Sequence, residues 1–208
     1  MTHTALNQLS SVIKNLAAQK SGLFLVAIDG RSGSGKSTLA NRLCDELDAL
    51  IIEGDDFFAG GVEVLDSSAS QLANICIDWR SQRDALRELH ARGTVSYLPF
   101  NWDAFDGTKS SVSKQVRSKA VVILEGVYSA RPELRDLIDF SVLIDLPEEL
   151  RMYRLIARER EIGPWERQWH SAEDWYFQNQ SRREDFDAVL NWVSNHQCSL
   201  NLKQGRKT

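Results

Sequence analysis

A glycine-rich segment followed by a lysine and a serine lies near the start of the chain. Residues 30–37 read Gly-Arg-Ser-Gly-Ser-Gly-Lys-Ser and match the pattern G-x-x-x-x-G-K-[ST]. Glycines allow a tight turn whose backbone N–H groups point inward, and the N-terminus of a following helix attracts anions. We expect ATP to be bound by Gly30, Ser32, Gly33, Ser34, Gly35, Lys36, Ser37 and Thr38.

Three side chains of this loop have predicted roles in phosphoryl transfer. Lys36 would reach the β- and γ-phosphates, and the hydroxyl of Ser37 would coordinate magnesium. Thr38 would extend the hydrogen bonding toward the α-phosphate. These residue types at this spacing predict a site for ATP with Mg²⁺.

Carboxylates follow two apolar runs further along the chain. Glu125 ends the run 121–124 and precedes Gly126, a position that suits a magnesium ligand. Asp55 and Asp56 follow residues 50–52, where one carboxylate could accept the proton of an acceptor hydroxyl. A solvated acidic turn is the alternative for the aspartates, and a surface loop is the alternative for Glu125.

An arginine-rich segment is predicted to form a lid over the phosphates, at about residues 151–170. Arg151, Arg154 and Arg158 would share one helix face, and guanidinium groups bind phosphate oxygens bidentately. We expect Arg154 and Arg158 to act on the transferring group, with a solvated face as the alternative. Beyond them, Trp165, Trp169 and Tyr176 recur at helical spacing and are interpreted as packing.

The elements that must position these residues alternate between helix and strand. Apolar periodicity predicts a helix through Leu6 to Leu16, and further helices at 36–47, 80–91, 132–138, 147–161 and 172–185. Short apolar runs predict strands at 23–28, 50–52, 120–124, 140–144 and 188–190. This order favours an α/β fold, a P-loop NTPase three-layer sandwich with a mostly parallel sheet, as one domain over 1–208. The polar tail, 201–208, has the composition of a disordered segment.

The phosphate loop, Asp55-Asp56-Phe57-Phe58 and the segment 124–128, Leu-Glu-Gly-Val-Tyr, occur in an order that resembles the uridine kinase and phosphoribulokinase family of P-loop kinases. The resemblance covers most of the chain. It implies that Asp55, rather than Asp56, is the catalytic base and that Glu125 binds magnesium. It also implies an arginine-rich lid.

The acceptor side resembles that family less closely. Asp78 and Trp79 resemble part of a Phe-Asp-His motif whose Asp contacts the acceptor sugar, and Tyr97 begins a segment similar to the Tyr-x-x-Pro of its flap. The His-x-Arg that grips a nucleoside in uridine kinases has no counterpart in residues 100–107. Trp79, Tyr97 and Trp102 could form an aromatic wall for a ring-shaped substrate or could serve packing.

Composition excludes several other classes of protein. The chain has 208 residues and a net charge of -4, which gives no basic footprint for nucleic acid. Its apolar runs are far shorter than the roughly 20 residues of a membrane span, and the N-terminal segment lacks a signal peptide pattern, so we expect a cytoplasmic protein. Three widely spaced cysteines favour neither a disulfide framework nor a zinc site.

We therefore predict an ATP- and magnesium-dependent phosphotransferase that moves the γ-phosphoryl group to a hydroxyl of a small molecule. The resemblance favours a nucleoside, while pantothenate, a sugar or a nucleoside monophosphate remain open as acceptors. The family's members often pair, which leaves a homodimer open. A nucleotide-dependent regulator or switch is the alternative of a different class.

Overall fold

A six-stranded sheet forms the centre of the molecule in the computed structural model, which describes residues 2–194 and 197–203. The strands are β1 (Phe24–Asp29), β2 (Leu50–Glu53), β3 (Thr94–Tyr97), β4 (Lys114–Arg117), β5 (Val121–Glu125), β6 (Phe140–Asp145), β7 (Ala188–Ser194) and β8 (Gln197–Leu202). The helices are α1 (Thr2–Ala18), α2 (Lys36–Leu47), α3 (Ala69–Ile75), α4 (Trp79–Arg92), α5 (Glu148–Glu159) and α6 (Pro164–Asn179).

The order of strands in the sheet is β2-β5-β1-β6-β7-β8, and β8 alone of these six is antiparallel to its neighbour. Strand β1 is central, with Val26 opposite Ile123 of β5 on one side and Phe140 of β6 on the other. After β1, strands β2 and β5 lie on one side of it in the sheet, and the later strands β6, β7 and β8 lie on the other side. Such a reversal opens a crevice at the carboxyl ends of parallel strands, where ligands bind.

Strand β1 is buried along its whole length because helices cover both faces of the sheet. Leu25 and Ala27 belong to one apolar cluster, which includes residues of α3, α4 and α6. Val26 and Ile28 belong to a second cluster, which includes residues of α1 and α2. Because successive side chains of a strand point to opposite faces, this alternation shows three layers. The predicted α/β fold, with a mostly parallel sheet between helices, is confirmed.

Several predicted boundaries were wrong, and some elements were not predicted. The last helix spans Pro164–Asn179 rather than 172–185, and of the predicted helix at 132–138 only a 3-10 turn, Pro132–Leu134, forms. Helix α3 and the separate two-stranded hairpin of β3 and β4 were not predicted, since seven- and four-residue elements carry too little periodicity. The polar tail was expected to be disordered, but residues 201 and 202 pair with β7 in strand β8. Residues 204–208 lie outside the described part.

Within the residues described, no helix is both long enough and apolar enough to cross a bilayer.

A buried carboxylate links the start of the phosphate loop to two other parts of the molecule. Asp29, the last residue of β1, is fully buried and accepts hydrogen bonds from four donors. Its Oδ1 accepts from the backbone N–H groups of Gly30 (2.8 Å) and Tyr128 (3.1 Å). Its Oδ2 accepts from the N–H of Ala130 (2.9 Å) and the hydroxyl of Tyr176 (2.8 Å). Burial raises the pKa of Asp29 from 3.8 to about 6, despite these hydrogen bonds, which lower it.

We predict that Asp29→Asn lowers the free energy of unfolding and that the loss depends on pH. An amide nitrogen cannot accept from the N–H of Ala130 or an equivalent donor, so we expect a loss of about 2 kcal/mol at pH 5. The folded pKa lies above the unfolded one, so in the wild type the contribution of Asp29 to stability falls as pH rises through 4 to 6. The stability of the variant does not change in this way with pH. The difference in free energy of unfolding between the wild type and the variant should therefore shrink by about 1 kcal/mol between pH 5 and pH 7.5.

Urea unfolding at the two pH values measures this change. Asp106→Asn is the control, because Asp106 is exposed and its pKa lies below the ordinary value, so its effect should be flat over this interval. A deficit of Asp29→Asn that stays constant with pH would mean that Asp29 is ionised throughout.

Candidate active site

A cavity of about 980 Å³ opens at the carboxyl edge of the sheet. This volume is at the upper end of the range of ligand pockets, which is roughly 300–1,000 Å³. Its walls combine a phosphate loop, acidic side chains, arginines and tryptophans. The lining includes residues 32–38, Glu53, Asp55, Asp56, Trp102, Glu125, Arg154, Arg158, Trp165, Glu166, Trp169, His170 and Trp192.

The phosphate loop lies between β1 and α2, as the sequence predicts. Gly30, Gly33 and Gly35 all have positive φ angles, of 152°, 78° and 97°, which residues other than glycine adopt only with strain. Gly33 is also packed closely: a Cβ there would lie 2.8 Å from the Cγ of Leu155 on α5. Lys36 at the start of α2 donates to the carbonyl of Arg31 at 3.2 Å. The conformation of this loop therefore requires glycine at these three positions, and the loop packs against α5 at Gly33.

Ser37 and Glu125 lie side by side, with the Ser37 hydroxyl donating to a carboxylate oxygen at 3.1 Å. Burial raises the pKa of Glu125, and the charge of Lys36 lowers it. No cluster of three or more His, Cys, Asp or Glu side chains that could hold a metal occurs in the described part of the chain. Mg²⁺ bound to protein commonly has one or two protein oxygens and completes its shell with water and phosphate. The oxygen pair of Ser37 and Glu125 fits that preference.

The two neighbouring aspartates after β2 have different surroundings. Asp56 is buried, and its carboxylate accepts from Lys114 at 2.8 Å and from the hydroxyl of Tyr97 at 2.9 Å. Asp55 is exposed to the cavity, and no hydrogen bond engages its carboxylate among the residues that the structure describes. Desolvation by the surrounding protein raises the pKa of Asp55, and the charge of Lys36 lowers it. A carboxylate without a hydrogen-bond partner can accept a proton from a ligand, whereas the carboxylate of Asp56 is already hydrogen-bonded to Lys114 and Tyr97.

The arginines of α5 differ in position. Arg151 is buried, and its Nη1 lies 4.0 Å from a carboxylate oxygen of Glu173. Arg154 and Arg158 line the cavity. Arg154 donates to the carbonyl of Ser34 at 3.4 Å and lies 5.9 Å from the ring centroid of Trp192. Helix α5 therefore contacts the phosphate loop.

Glu173 on α6 is a site residue that the sequence interpretation missed. It is fully buried, and its carboxylate accepts from the backbone N–H of Ser32 at 3.1 Å and from the Ser32 hydroxyl. The indole N–H of Trp169 donates to the same carboxylate at 2.5 Å. The only signal in the sequence is the four-residue spacing of Trp169 and Glu173, which places both on one helix face. Helix α6 is thus hydrogen-bonded to the phosphate loop through the side chain of Glu173.

Of the four predicted acceptor residues, the structure brings two close to the aspartates. Trp102 donates from its indole nitrogen to the carbonyl of Asp55 at 3.2 Å, and Tyr97 donates to Asp56. Asp78 instead caps α4, where it accepts from the N–H and hydroxyl of Ser81. Trp79 follows it on α4.

The ring of Trp79 is covered by guanidinium groups, with Arg80 at 4.3 Å and Arg131 at 5.3 Å from its centroid. Neither Asp78 nor Trp79 lines the cavity in the part of the chain described. An aspartate preceding a helix satisfies the free N–H groups of its first turn, and this competes with any contact to a ligand. Of the three aromatic residues predicted to form a wall, Trp102 lines the cavity, whereas Trp79 and Tyr97 are not among its described lining residues.

We predict that Gly33→Ala disrupts nucleotide binding while Gly107→Ala does not. Both glycines have left-handed backbones, with φ of 78° and 87°, so each alanine costs about 1–2 kcal/mol of stability. The Cβ at Gly33 would also displace Leu155, whereas nothing lies within 4 Å of one at Gly107. We expect at least a tenfold loss of ATP affinity for Gly33→Ala in calorimetric titration. Equal ATP affinities of the two variants would contradict the packing argument.

Comparison with known proteins agrees with this architecture. The chain is 26% identical over 142 residues to a uridine kinase of Limosilactobacillus reuteri, a match that covers 65% of this chain and 64% of that protein. It is 28% identical over 142 residues to a uridine kinase of Clostridium novyi, covering 65% and 67% of the two chains. The match thus spans somewhat less than two thirds of the length of the first of these relatives.

A solved structure described as a possible uridine kinase from Bacillus stearothermophilus has the same fold. It superposes with a TM-score of 0.70 at 23% identity, over 90% of this chain and 98% of that one. The model of the Phosphoribulokinase / Uridine kinase family matches residues 25–203, which include the phosphate loop, Asp55, Glu125 and helix α5. The chain therefore belongs to the Phosphoribulokinase / Uridine kinase family.

Proposed function

We propose that this chain is a small-molecule kinase that transfers the γ-phosphoryl group of ATP, with magnesium, to a hydroxyl of a nucleoside-like acceptor. The observation that supports it most is the meeting of Lys36, the Ser37–Glu125 pair and the unengaged carboxylate of Asp55 in one cavity. Phosphoryl transfer requires these three kinds of group within reach of one another.

ATP would lie with its triphosphate against residues 32–38 and the N-terminus of α2. Backbone N–H groups and Lys36 would bind the phosphates, and Arg154 and Arg158 would neutralise charge that spreads over the transferring group. Ser37 and Glu125 would hold magnesium, which supplies charge neutralisation at the phosphates when it is bound. This arrangement uses all of the predicted nucleotide-binding residues of the loop except Gly30, which is not among the described lining residues of the cavity.

Asp55 would act on the acceptor. As the oxygen of the acceptor hydroxyl forms its bond to phosphorus, the bond from phosphorus to the leaving oxygen of ADP breaks, and the hydroxyl proton passes to Asp55. The raised pKa of Asp55 makes it a better base than an ordinary aspartate. The products are ADP and the phosphorylated acceptor.

The acceptor is proposed from the relatives and from the cavity together. The two sequence relatives described above are uridine kinases, which favours a nucleoside-like compound. Trp102, which contacts Asp55, and Trp165 and Trp169 provide flat apolar surface in the same cavity.

We predict that Asp55→Asn retains ATP binding but loses phosphoryl transfer. The amide cannot accept the proton, so kcat should fall by about 10²–10⁴-fold, while calorimetric ATP affinity changes less than threefold. Lys36→Ala should weaken both ATP affinity and turnover, because the lysine contacts the phosphates in either state. ADP formation is measured with magnesium, ATP and uridine, other nucleosides, pantothenate and simple sugars as acceptors.

Asp45→Asn on the exposed face of α2 is the matched control and should behave as the wild type. Full turnover by Asp55→Asn would show that another group takes the proton. If no acceptor raises ADP formation above the rate without acceptor, and the protein forms a stable complex with a partner protein, the kinase proposal fails in favour of a nucleotide-dependent regulator.

A further inference from the structure

Resting on the proposed kinase function, we propose that His170 of α6 is a further phosphate-binding residue, whose protonated ring donates a hydrogen bond to the γ-phosphate of ATP. His170 lines the cavity, and no hydrogen bond engages either of its ring nitrogens among the residues that the structure describes. A protonated imidazole has two N–H donors, and a hydrogen bond from a charged donor to phosphate is a strong one. The place of His170 relative to the phosphate loop follows from the contacts of its neighbours on α6.

Helix α6 lies against the start of the phosphate loop through two consecutive residues. Glu173 accepts from the backbone N–H of Ser32 at 3.1 Å. The guanidinium of Arg31 lies 2.6 Å from the carboxylate of Asp174. His170 is three residues before Glu173 and four before Asp174, a spacing that places it on the same helix face, one turn away. His170 is therefore next to the contacts that hold residues 31 and 32.

The tryptophan beside His170 lies on the other side of Glu173. With about 100° between successive residues of a helix, Trp169 lies about 40° to one side of Glu173 and His170 about 60° to the other. Trp169 packs against Phe58 and Tyr128, with ring centroids 5.6 Å and 6.0 Å apart. His170 is thus on the side of α6 away from those rings.

This part of the phosphate loop is the end at which a γ-phosphate would lie. Ser37 would hold magnesium and Thr38 would extend toward the α-phosphate, so the triphosphate would run from the start of α2 back toward Ser32 and Gly33. Both of these residues line the cavity, as His170 does. The γ-phosphate would therefore lie between the loop and the face of α6 that bears His170.

The two arginines next to this end of the loop face acidic side chains of α6. Arg151 lies 4.0 Å from the fully buried Glu173, and Arg31 is paired with Asp174. Opposite charges this close cancel much of each other's effect on a third group. A γ-phosphate at this end would therefore gain little from either arginine, whereas a protonated His170 would add a positive charge directly.

The charged groups around His170 come from α6, the phosphate loop, α5 and the edge of the sheet. They are Glu166, Glu173, Asp174, Arg31, Lys36, Arg151, Arg154, Arg158, Glu53, Asp55 and Glu125. Histidine changes its charge between about pH 5 and 8, and a bound phosphate favours the protonated ring. Binding of ATP should therefore take up a proton, so that ATP affinity rises as the pH falls through this interval.

We predict that His170→Gln distinguishes ATP from ADP. At pH 6.0 and with magnesium, the variant should bind ATP about tenfold more weakly than the wild type, because it loses a charge-assisted hydrogen bond. Its ADP affinity should stay within about twofold of the wild type, because ADP has no γ-phosphate, whereas damage to the fold would weaken both. Calorimetric titration without an acceptor measures both affinities.

His90→Gln is the matched control, since it makes the same substitution at an exposed position of α4 outside the described lining of the cavity. It should bind ATP and ADP as the wild type does. Equal losses of ATP and ADP affinity in His170→Gln, or no loss of ATP affinity, would overturn the proposal.

The dependence on pH tests the charge of the ring. The ratio of the ATP affinities of the wild type and His170→Gln should be about ten at pH 6.0 and should fall toward one at pH 8.5, where histidine is neutral. His170→Lys retains a positive charge at both pH values, so its preference for ATP over ADP should not change between them. A ratio of wild type to His170→Gln that is the same at both pH values would overturn the role of the protonated ring.

These measurements separate the role of His170 from the kinase function, because binding does not require phosphoryl transfer. If no acceptor raises ADP formation but His170→Gln still loses ATP affinity alone, the kinase function fails and the role of His170 stands. If an acceptor is phosphorylated and His170→Gln binds ATP as tightly as the wild type at pH 6.0, the kinase function stands and the role of His170 fails.

Discussion

The buried carboxylate of Asp29 is the point at which three distant segments of the chain are held together. Its four hydrogen bonds engage Gly30 at the start of the phosphate loop, the backbone at Tyr128 and Ala130 after β5, and Tyr176 on α6. A carboxylate without partners would be costly at this depth, so the segments that satisfy it are fixed relative to one another. The loop that would bind phosphates and the helix that lines the cavity with Trp165 and Trp169 are therefore both hydrogen-bonded to one carboxylate.

A second acidic residue extends the same connection. Glu173, one turn before Tyr176, accepts from Ser32 in the phosphate loop and from Trp169, which lines the cavity. Movement of α6 would disturb both the loop and Trp169, because one buried side chain contacts each. Helix α6 thus connects the phosphate loop to a side chain of the cavity, and α5 adds a third contact where Leu155 packs on Gly33.

Much of the candidate site was predictable because phosphate binding imposes local requirements. Lys36 and Ser37 are recognised from a fixed spacing between glycines, and the strand before them and the helix after them have clear apolar patterns. Glu125 ends a strand that is buried throughout, so its place at the carboxyl edge could be inferred as well. The other side of the cavity could not be inferred in the same way, because its residues come from the segment between β3 and β4 and from α6, which meet only in the folded chain.

The sequence by itself determined the fold class, the phosphate loop and the pair of aspartates after β2, because each depends on residues that are neighbours along the chain. Only the tertiary structure decided which aspartate is hydrogen-bonded within the protein. Lys114 and Tyr97, which bond to Asp56, lie about 40 to 60 residues further along the chain. It also showed that Asp78 caps α4 and that two arginines cover the ring of Trp79, so neither residue lines the cavity. It placed Trp165 and Trp169 of α6 in the same cavity as Trp102. The physical reason is that hydrogen bonds and ring contacts between remote segments leave no periodic trace in the sequence, whereas turns and apolar faces do.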